Sequence, residues 1–141
     1  MDLTVKVIGE GIDKPKKVDD VGYDLKSSEQ VILEPRSFRR IAVDARLSMP
    51  EGVYAIIRGR SGWASKGILA HHGTIDTGYQ GPVDVILHNM SDEAYVIEKG
   101  DRIGQLVFFP TICPELEQVE EFDIVTERGD TGFGSTGTAN G

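Results

Sequence analysis

Within Gly73-Thr74-Ile75-Asp76-Thr77-Gly78-Tyr79-Gln80-Gly81, the chain sets one carboxylate, Asp76, and one phenol, Tyr79, among three glycines. A carboxylate at a glycine-rich bend closes an Asx-turn, or it positions and deprotonates a water. The short arm Thr74-Ile75 and the returning arm Pro82-Val83-Asp84-Val85-Ile86-Leu87-His88-Asn89 read together as a hairpin. In the returning arm Val83, Val85 and Leu87 alternate inward against Asp84 and His88. A bend of this kind suits a slot for a small flat molecule.

Other stretches bear on the same chemistry. Arg60-Ser61-Gly62-Trp63-Ala64-Ser65-Lys66 brings an arginine, a hydroxyl and free backbone N–H groups to the start of a possible helical turn, which is either an anion site or a plainly capped turn. Trp63 reads as a core anchor. Val21-Gly22-Tyr23-Asp24-Leu25 carries a carboxylate at the start of a strand, read as an ordinary edge aspartate or as a group holding waters around a metal-bound phosphate chain. Gln105 is a polar residue inside the apolar run 103–109 and needs a hydrogen-bond partner. His71-His72 cannot face one site from a strand and reads as loop. Arg128-Gly129-Asp130 matches an adhesion tripeptide by chance.

The elements that must position these residues are strands. Apolar alternation or short apolar runs mark 3–8, 31–33, 38–47, 53–57, 95–97, 103–109 and 116–119, with a polar loop over 9–20. One turn or two of helix fits 61–66, opened by Ser61 as N-cap. The acidic stretch 115–123 reads as a solvated strand face. The expected fold is all-β, a sandwich or barrel with at most one short helix, in one domain over 1–127. From Arg128 the glycine-rich sequence loses periodicity, and 128–141 is expected to be a flexible arm.

The chain of 141 residues has 39% hydrophobic residues and a formal net charge of -8, which argues against a surface for polymeric nucleic acid. The single cysteine, Cys113, cannot form an internal disulfide, and no apolar run approaches the ~18 residues of a membrane span. No secretory signal is visible at the N-terminus, so a cytoplasmic location without membrane contact is expected.

Five stretches in order resemble the motifs of the homotrimeric dUTP diphosphatase (dUTPase) family: 21–25, 59–62, 73–81, 100–106 and 128–137. The resemblance implies a jelly-roll-like β fold, a homotrimer whose sites are shared between subunits, and Mg²⁺-dependent hydrolysis of dUTP to dUMP and pyrophosphate. Such activity limits uracil in DNA and supplies dUMP for thymidylate synthesis. By position, Asp76 would activate the water that attacks the α-phosphorus, and Tyr79 would pack under the deoxyribose and leave no room for a 2′-hydroxyl. Main-chain groups around Gly73, Thr74 and Ile75 on one arm, and Asp84 and Ile86 on the other, would read uracil. Arg60, Ser61, Gly62 and Gln105 would hold phosphates, and Asp24 would meet the metal through water. The arm would close over the nucleotide, with Phe133 on uracil, Arg128 at the terminal phosphate, and Gly134, Ser135 and Thr136 along the triphosphate.

The chain departs from the family pattern at Gly104, where Ala is usual, at Thr131, where Gly is usual, and at Trp63, where Leu is common. Ala70 stands where many bacterial members have Asn near uracil, so base selection is expected to rest on the backbone. Two other readings stand beside this one. A dCTP deaminase of the same superfamily would need a glutamate on the returning arm, and 82–89 contains none. A regulatory binding protein on the same scaffold, of the phage-encoded kind, would engage a protein partner as well as or instead of nucleotide.

Overall fold

Strict alternation shapes the longest strand. Residues 41, 43, 45 and 47 are Ile, Val, Ala and Leu and turn inward, whereas Phe38, Arg40, Asp44 and Arg46 are exposed. The computed structural model describes residues 3–14 and 19–132. In chain order its elements are β1 (Lys6–Ile8), β2 (Tyr23–Lys26), β3 (Val31–Leu33), β4 (Ser37–Ser48), β5 (Val53–Arg58) and α1 (Ser61–Ala64). They continue with β6 (Ile68–Ala70), β7 (Thr74–Ile75), β8 (Pro82–Asn89), β9 (Tyr95–Ile97) and β10 (Arg102–Pro110).

Among the described residues these strands form two four-stranded sheets, in the orders β1-β4-β8-β6 and β2-β10-β5-β7, with a separate β3-β9 pair. Every pairing is antiparallel. Ile41, Val43 and Leu47 of β4 and Val83, Val85 and Leu87 of β8 are buried in one core cluster with Ala55 and Ile57 of β5 and Ile103 and Leu106 of β10. Burial of this apolar face is the main favourable term, and period-two alternation is what makes it possible.

The segment before β2 joins the two sheets. Gly11 N donates to Asp44 O of β4 (3.1 Å), while Gly11 O accepts from Lys26 N of β2 (2.9 Å). A side chain on Gly11 would overlap the Val43 carbonyl, so only glycine allows this approach. Beside it, β4 bulges between Ala42 and Arg46, with Asp44 at φ 59°, a left-handed conformation that aspartate tolerates better than most residues.

Three expectations need correction, and one strand went unmarked. The stretch 116–119 forms no strand: residues 112–119 carry no regular structure, and Leu116 is 90% exposed because no strand among the described residues pairs with it. Residues 68–70, too short to show a period, form β6. Ser61 is not the N-cap. Arg60 holds that position in extended conformation (φ -109°, ψ 138°) and makes no side-chain cap, so Ser61 lies inside the first turn. Finally, β7 and β8 are not a paired hairpin: β7 pairs with β5, and β8 pairs with β4 and β6, so the bend at 76–81 crosses from one sheet to the other.

Candidate active site

Leu25 is fully buried, so its neighbours Asp24 and Lys26 on β2 face outward from the core. The central strand β10 sets Gln105 opposite Asp24 of β2 and opposite Arg58 of β5, and the chain beyond β5 continues into Arg60 and α1. A shift of register between Arg102 and Gly104 lets Arg102 lie against Lys26. Asp24, Arg60, Arg102 and Gln105 therefore line one cavity of about 770 Å³. A neighbouring cavity of about 500 Å³ adds Ser61, Gly62, Trp63 and Lys66.

An ion network fixes the floor. Arg60 Nε is 3.3 Å from Asp24 Oδ1, and Arg102 Nε is 3.5 Å from Asp24 Oδ2 and 3.5 Å from Asp13 Oδ2. Lys26 Nζ is 3.0 Å from Asp13 Oδ1. Hydrogen bonding from Lys26 holds the Asp13 carboxyl below its ordinary value, and Arg102 adds to the effect, whereas desolvation opposes it. The network itself sets two carboxylates against three cations, but the larger cavity also takes in Lys14, Asp19 and Asp20; the positive excess lies in the neighbouring cavity, where Arg60 and Lys66 face Asp24 alone.

Two neutral contacts complete this side. Gln105 Nε2 donates to Gly59 O (3.1 Å), which answers the demand of its amide for a partner, and Gln105 Oε1 closes against Gly22. Trp63 Nε1 donates to Arg102 O (2.9 Å), and its ring meets Tyr95 edge-on at 6.2 Å, partly buried against the core. Trp63 thus anchors both the core and the site.

The residues of the bend form a second group. Tyr79 N donates to Asp76 O (3.0 Å), closing a turn, and Tyr79 Oη donates to Pro82 O (2.9 Å), which fixes the ring over Gly81. Asp76 is exposed. Gly73 is already bonded on both sides, its N–H to His71 O (3.1 Å) and its carbonyl from Ile57 N (2.9 Å), so it has less to offer a base than its place in the motif implies. Ile86 O accepts from His71 N (2.9 Å), and the β6–β8 ladder ends there. Strand alternation turns the main-chain groups of Asp84 to that same edge of β8, beyond the end of β6. The side chain of Asp84 pairs with Arg40 at 2.6 Å.

The structure brings together Asp24, Arg60, Ser61, Gly62 and Gln105 of the expected site. Thr74, Ile75, Asp76, Tyr79, Asp84 and Ile86 form the other group and line neither cavity. Ile75 is buried in the core. Arg128 is exposed, with its Nε donating to Thr131 O (2.8 Å), and lines neither cavity. Phe133, Gly134, Ser135 and Thr136 lie outside the described residues. Sequence reasoning missed Asp13, Arg102 and Lys66. Arg102 sat inside a recognised stretch, but Asp13 lay in an unremarkable polar loop and only the fold carries it to the site.

The family model for dUTPase matches residues 11–137. The chain is 41% identical over 138 residues to the deoxyuridine 5'-triphosphate nucleotidohydrolase of Oryza sativa subsp. japonica, a match covering 96% of this chain and 80% of that one. It is 39% identical over 129 residues to the Pol polyprotein of Ovine maedi visna related virus (strain South Africa), covering 92% of this chain but only 12% of that polyprotein. Among solved structures it is similar to the dUTPase of Staphylococcus bacteriophage 80alpha with dUPNHPP (TM-score 0.88, 35% identity, 96% of this chain and 99% of that one). That structure is described with phage dUTPases that control transfer of virulence genes by a proto-oncogenic G protein-like mechanism.

Proposed function

This chain belongs to the dUTPase family, whose reaction is the hydrolysis of dUTP to dUMP and pyrophosphate, and we propose that it performs this reaction with Asp76 as the base. The observation that carries the reading is the clustering of Asp24, Arg60, Ser61, Gly62 and Gln105 around one recess in which Arg60 and Lys66 face a single carboxylate, apart from a bend that carries an exposed carboxylate and a clamped phenol.

Asp76 takes a proton from a water as its oxygen attacks the α-phosphorus. The bond from that phosphorus to the bridging oxygen breaks, and pyrophosphate leaves. Arg60, the Ser61 hydroxyl, Gly62 N–H and Gln105 hold the polyphosphate while charge redistributes. Tyr79, fixed by Pro82 O, packs under the deoxyribose and leaves no space for a 2′-hydroxyl. Asp84 and the N–H of Ile86 face the base from the open edge of β8, with the second lone pair of Gly73 O opposite.

The family uses Mg²⁺, which when bound neutralises the triphosphate and polarises its oxygens. Among the described residues no group of three or more His, Cys, Asp or Glu forms a protein cage. The donor set fits an ion that keeps its waters: Asp24, half-buried at the rim and already paired with Arg60, would hold it through water.

A homotrimer with shared sites accounts for two features. Among the described residues the bend-side groups line neither of the two cavities that hold the phosphate-side groups. The unstructured stretch 112–125 exposes Ile112, Leu116, Phe122, Ile124 and Val125, a row of apolar side chains suited to burial against another copy. The arm 128–141 is taken to close over bound nucleotide. A regulatory protein partner is a second role, favoured by the likeness to the phage 80alpha enzyme. Recovery of a host protein in a pull-down that a non-hydrolysable dUTP analogue modulates supports it; an empty pull-down counts against it.

The deciding experiment is pyrophosphate release across dUTP, dCTP, dTTP and UTP, with Asp76→Asn alongside. The variant is expected to lose more than ~10²-fold in turnover while binding the analogue nearly as well. Turnover unaffected by Asp76→Asn would overturn the role.

A further inference from the structure

We propose that Lys66 is an additional polyphosphate-binding residue, held in place by the aromatic rings of Trp63 and Tyr95; this rests on the phosphate-side reading above. Two cations line the recess that contains Ser61 and Gly62: Arg60 and Lys66. Arg60 is paired with Asp24 at 3.3 Å. Among the described residues no carboxylate pairs with Lys66.

Instead, its ammonium lies 5.1 Å from the centroid of the Trp63 ring and 5.9 Å from that of Tyr95, which stand at 90° to each other. Two ring faces hold a cation without neutralising it, because a quadrupole attracts charge but carries none. The bracket is itself tied to the site through Trp63 Nε1 and the carbonyl of Arg102. The main chain brings Lys66 back over the indole, with Lys66 N donating to Trp63 O (3.0 Å). The result is a positioned, uncommitted positive charge at the mouth of an anion recess. Its ligand is the pyrophosphate portion of the nucleotide, since an α-phosphate held for attack must stay accessible to Asp76.

Trp63 is the chain's only tryptophan, so its emission reports directly on this corner. The full-length protein is titrated with Mg-pyrophosphate and, separately, with dUMP, following tryptophan fluorescence and confirming affinities by calorimetry. Pyrophosphate is expected to change the emission saturably, and dUMP to leave it unchanged. Lys66→Met should weaken pyrophosphate about tenfold and Lys66→Arg less than about threefold, with dUMP affinity within about twofold in both. Trp63→Leu should raise KM for dUTP in the same direction by a smaller factor.

Pyrophosphate affinity of Lys66→Met within about twofold of the parent would overturn the proposal, as would equal weakening in the Met and Arg variants, or dUMP weakened as much as pyrophosphate. Thermal unfolding of each variant separates a lost contact from a lost fold. Because the binding arms use no turnover, they decide the role of Lys66 independently. Failure of the parent protein to release pyrophosphate from dUTP sinks the functional reading instead.

Discussion

Gly22 and Gln105 are in direct contact: Oε1 of the glutamine occupies the space that a side chain on the glycine would need, while its Nε2 donates to Gly59 O at 3.1 Å. The glycine on β2's approach therefore sets the rotamer of an amide on β10. Gly22→Ala is expected to displace the flexible end of Gln105 rather than the backbone, with little loss of stability. Its mark should be a KM for dUTP raised about fivefold or more, the worth of one misplaced hydrogen bond. Steady-state kinetics beside chemical denaturation test this, and a large stability loss with unchanged KM would contradict it.

Gly81 stands in the same relation to Tyr79. A methyl built there would lie 2.6 Å from Tyr79 Cζ, and the phenol cannot yield without losing its bond to Pro82 O. Gly81→Ala should move the ring from beneath the sugar and lower the preference for dUTP over UTP about tenfold, measured as the ratio of kcat/KM values. By contrast, a methyl at Gly73 meets only ordinary contacts, at 3.8 Å from His71 Cδ2 and 3.9 Å from Ile57 Cδ1.

Asp13 supplies a pH dependence. Its folded-state affinity for a proton is lowered by Lys26, then by Arg102, relative to an ordinary value of 3.8. A depressed carboxylate contributes stability that is fully present above the unfolded value and lost as pH falls through the folded one. Asp13→Asn should therefore be less stable than the parent at neutral pH. The gap should close as the pH is taken below about 4, followed by denaturation midpoints at fixed protein concentration. A gap independent of pH would show that the ion pairs contribute nothing.

Asn89, the last residue of β8, is 1% exposed and ties the end of β3 to the turn before β9. Its Nδ2 donates to Leu33 O, Glu34 O and Glu93 O, and its Oδ1 accepts from Ser91 N and Ser91 Oγ. Asn89→Asp would turn a carboxylate oxygen toward three carbonyls in a buried site, at an expected cost of about 3 kcal/mol or more. The denaturation midpoint is the readout, and a change below about 1 kcal/mol would refute the assignment.

Local pattern made much of the fold legible. Period-two alternation located β4 and β8, where one buried face is written in every second residue, and short apolar runs located β5 and β10. Asp24, Arg60, Gln105, Asp76 and Tyr79 were legible as candidates because their motifs resemble those of one family. Stretch 68–70 went unmarked and 116–119 was misjudged for one reason: a strand needs an edge to pair with, and three or four residues do not reveal whether an edge exists.

By itself the sequence determined which residues can do chemistry and which faces must be buried, since both follow from side-chain type and spacing. Tertiary structure decided their company. It separated β7 and β8 into different sheets, brought Asp13 from a featureless loop onto Arg102, bonded both polar groups of Gly73 internally, and set Lys66 over two rings. Contacts such as Asp13 with Arg102 and Lys66 with Tyr95 join residues far apart in the chain, and their energies depend on distances that only packing fixes.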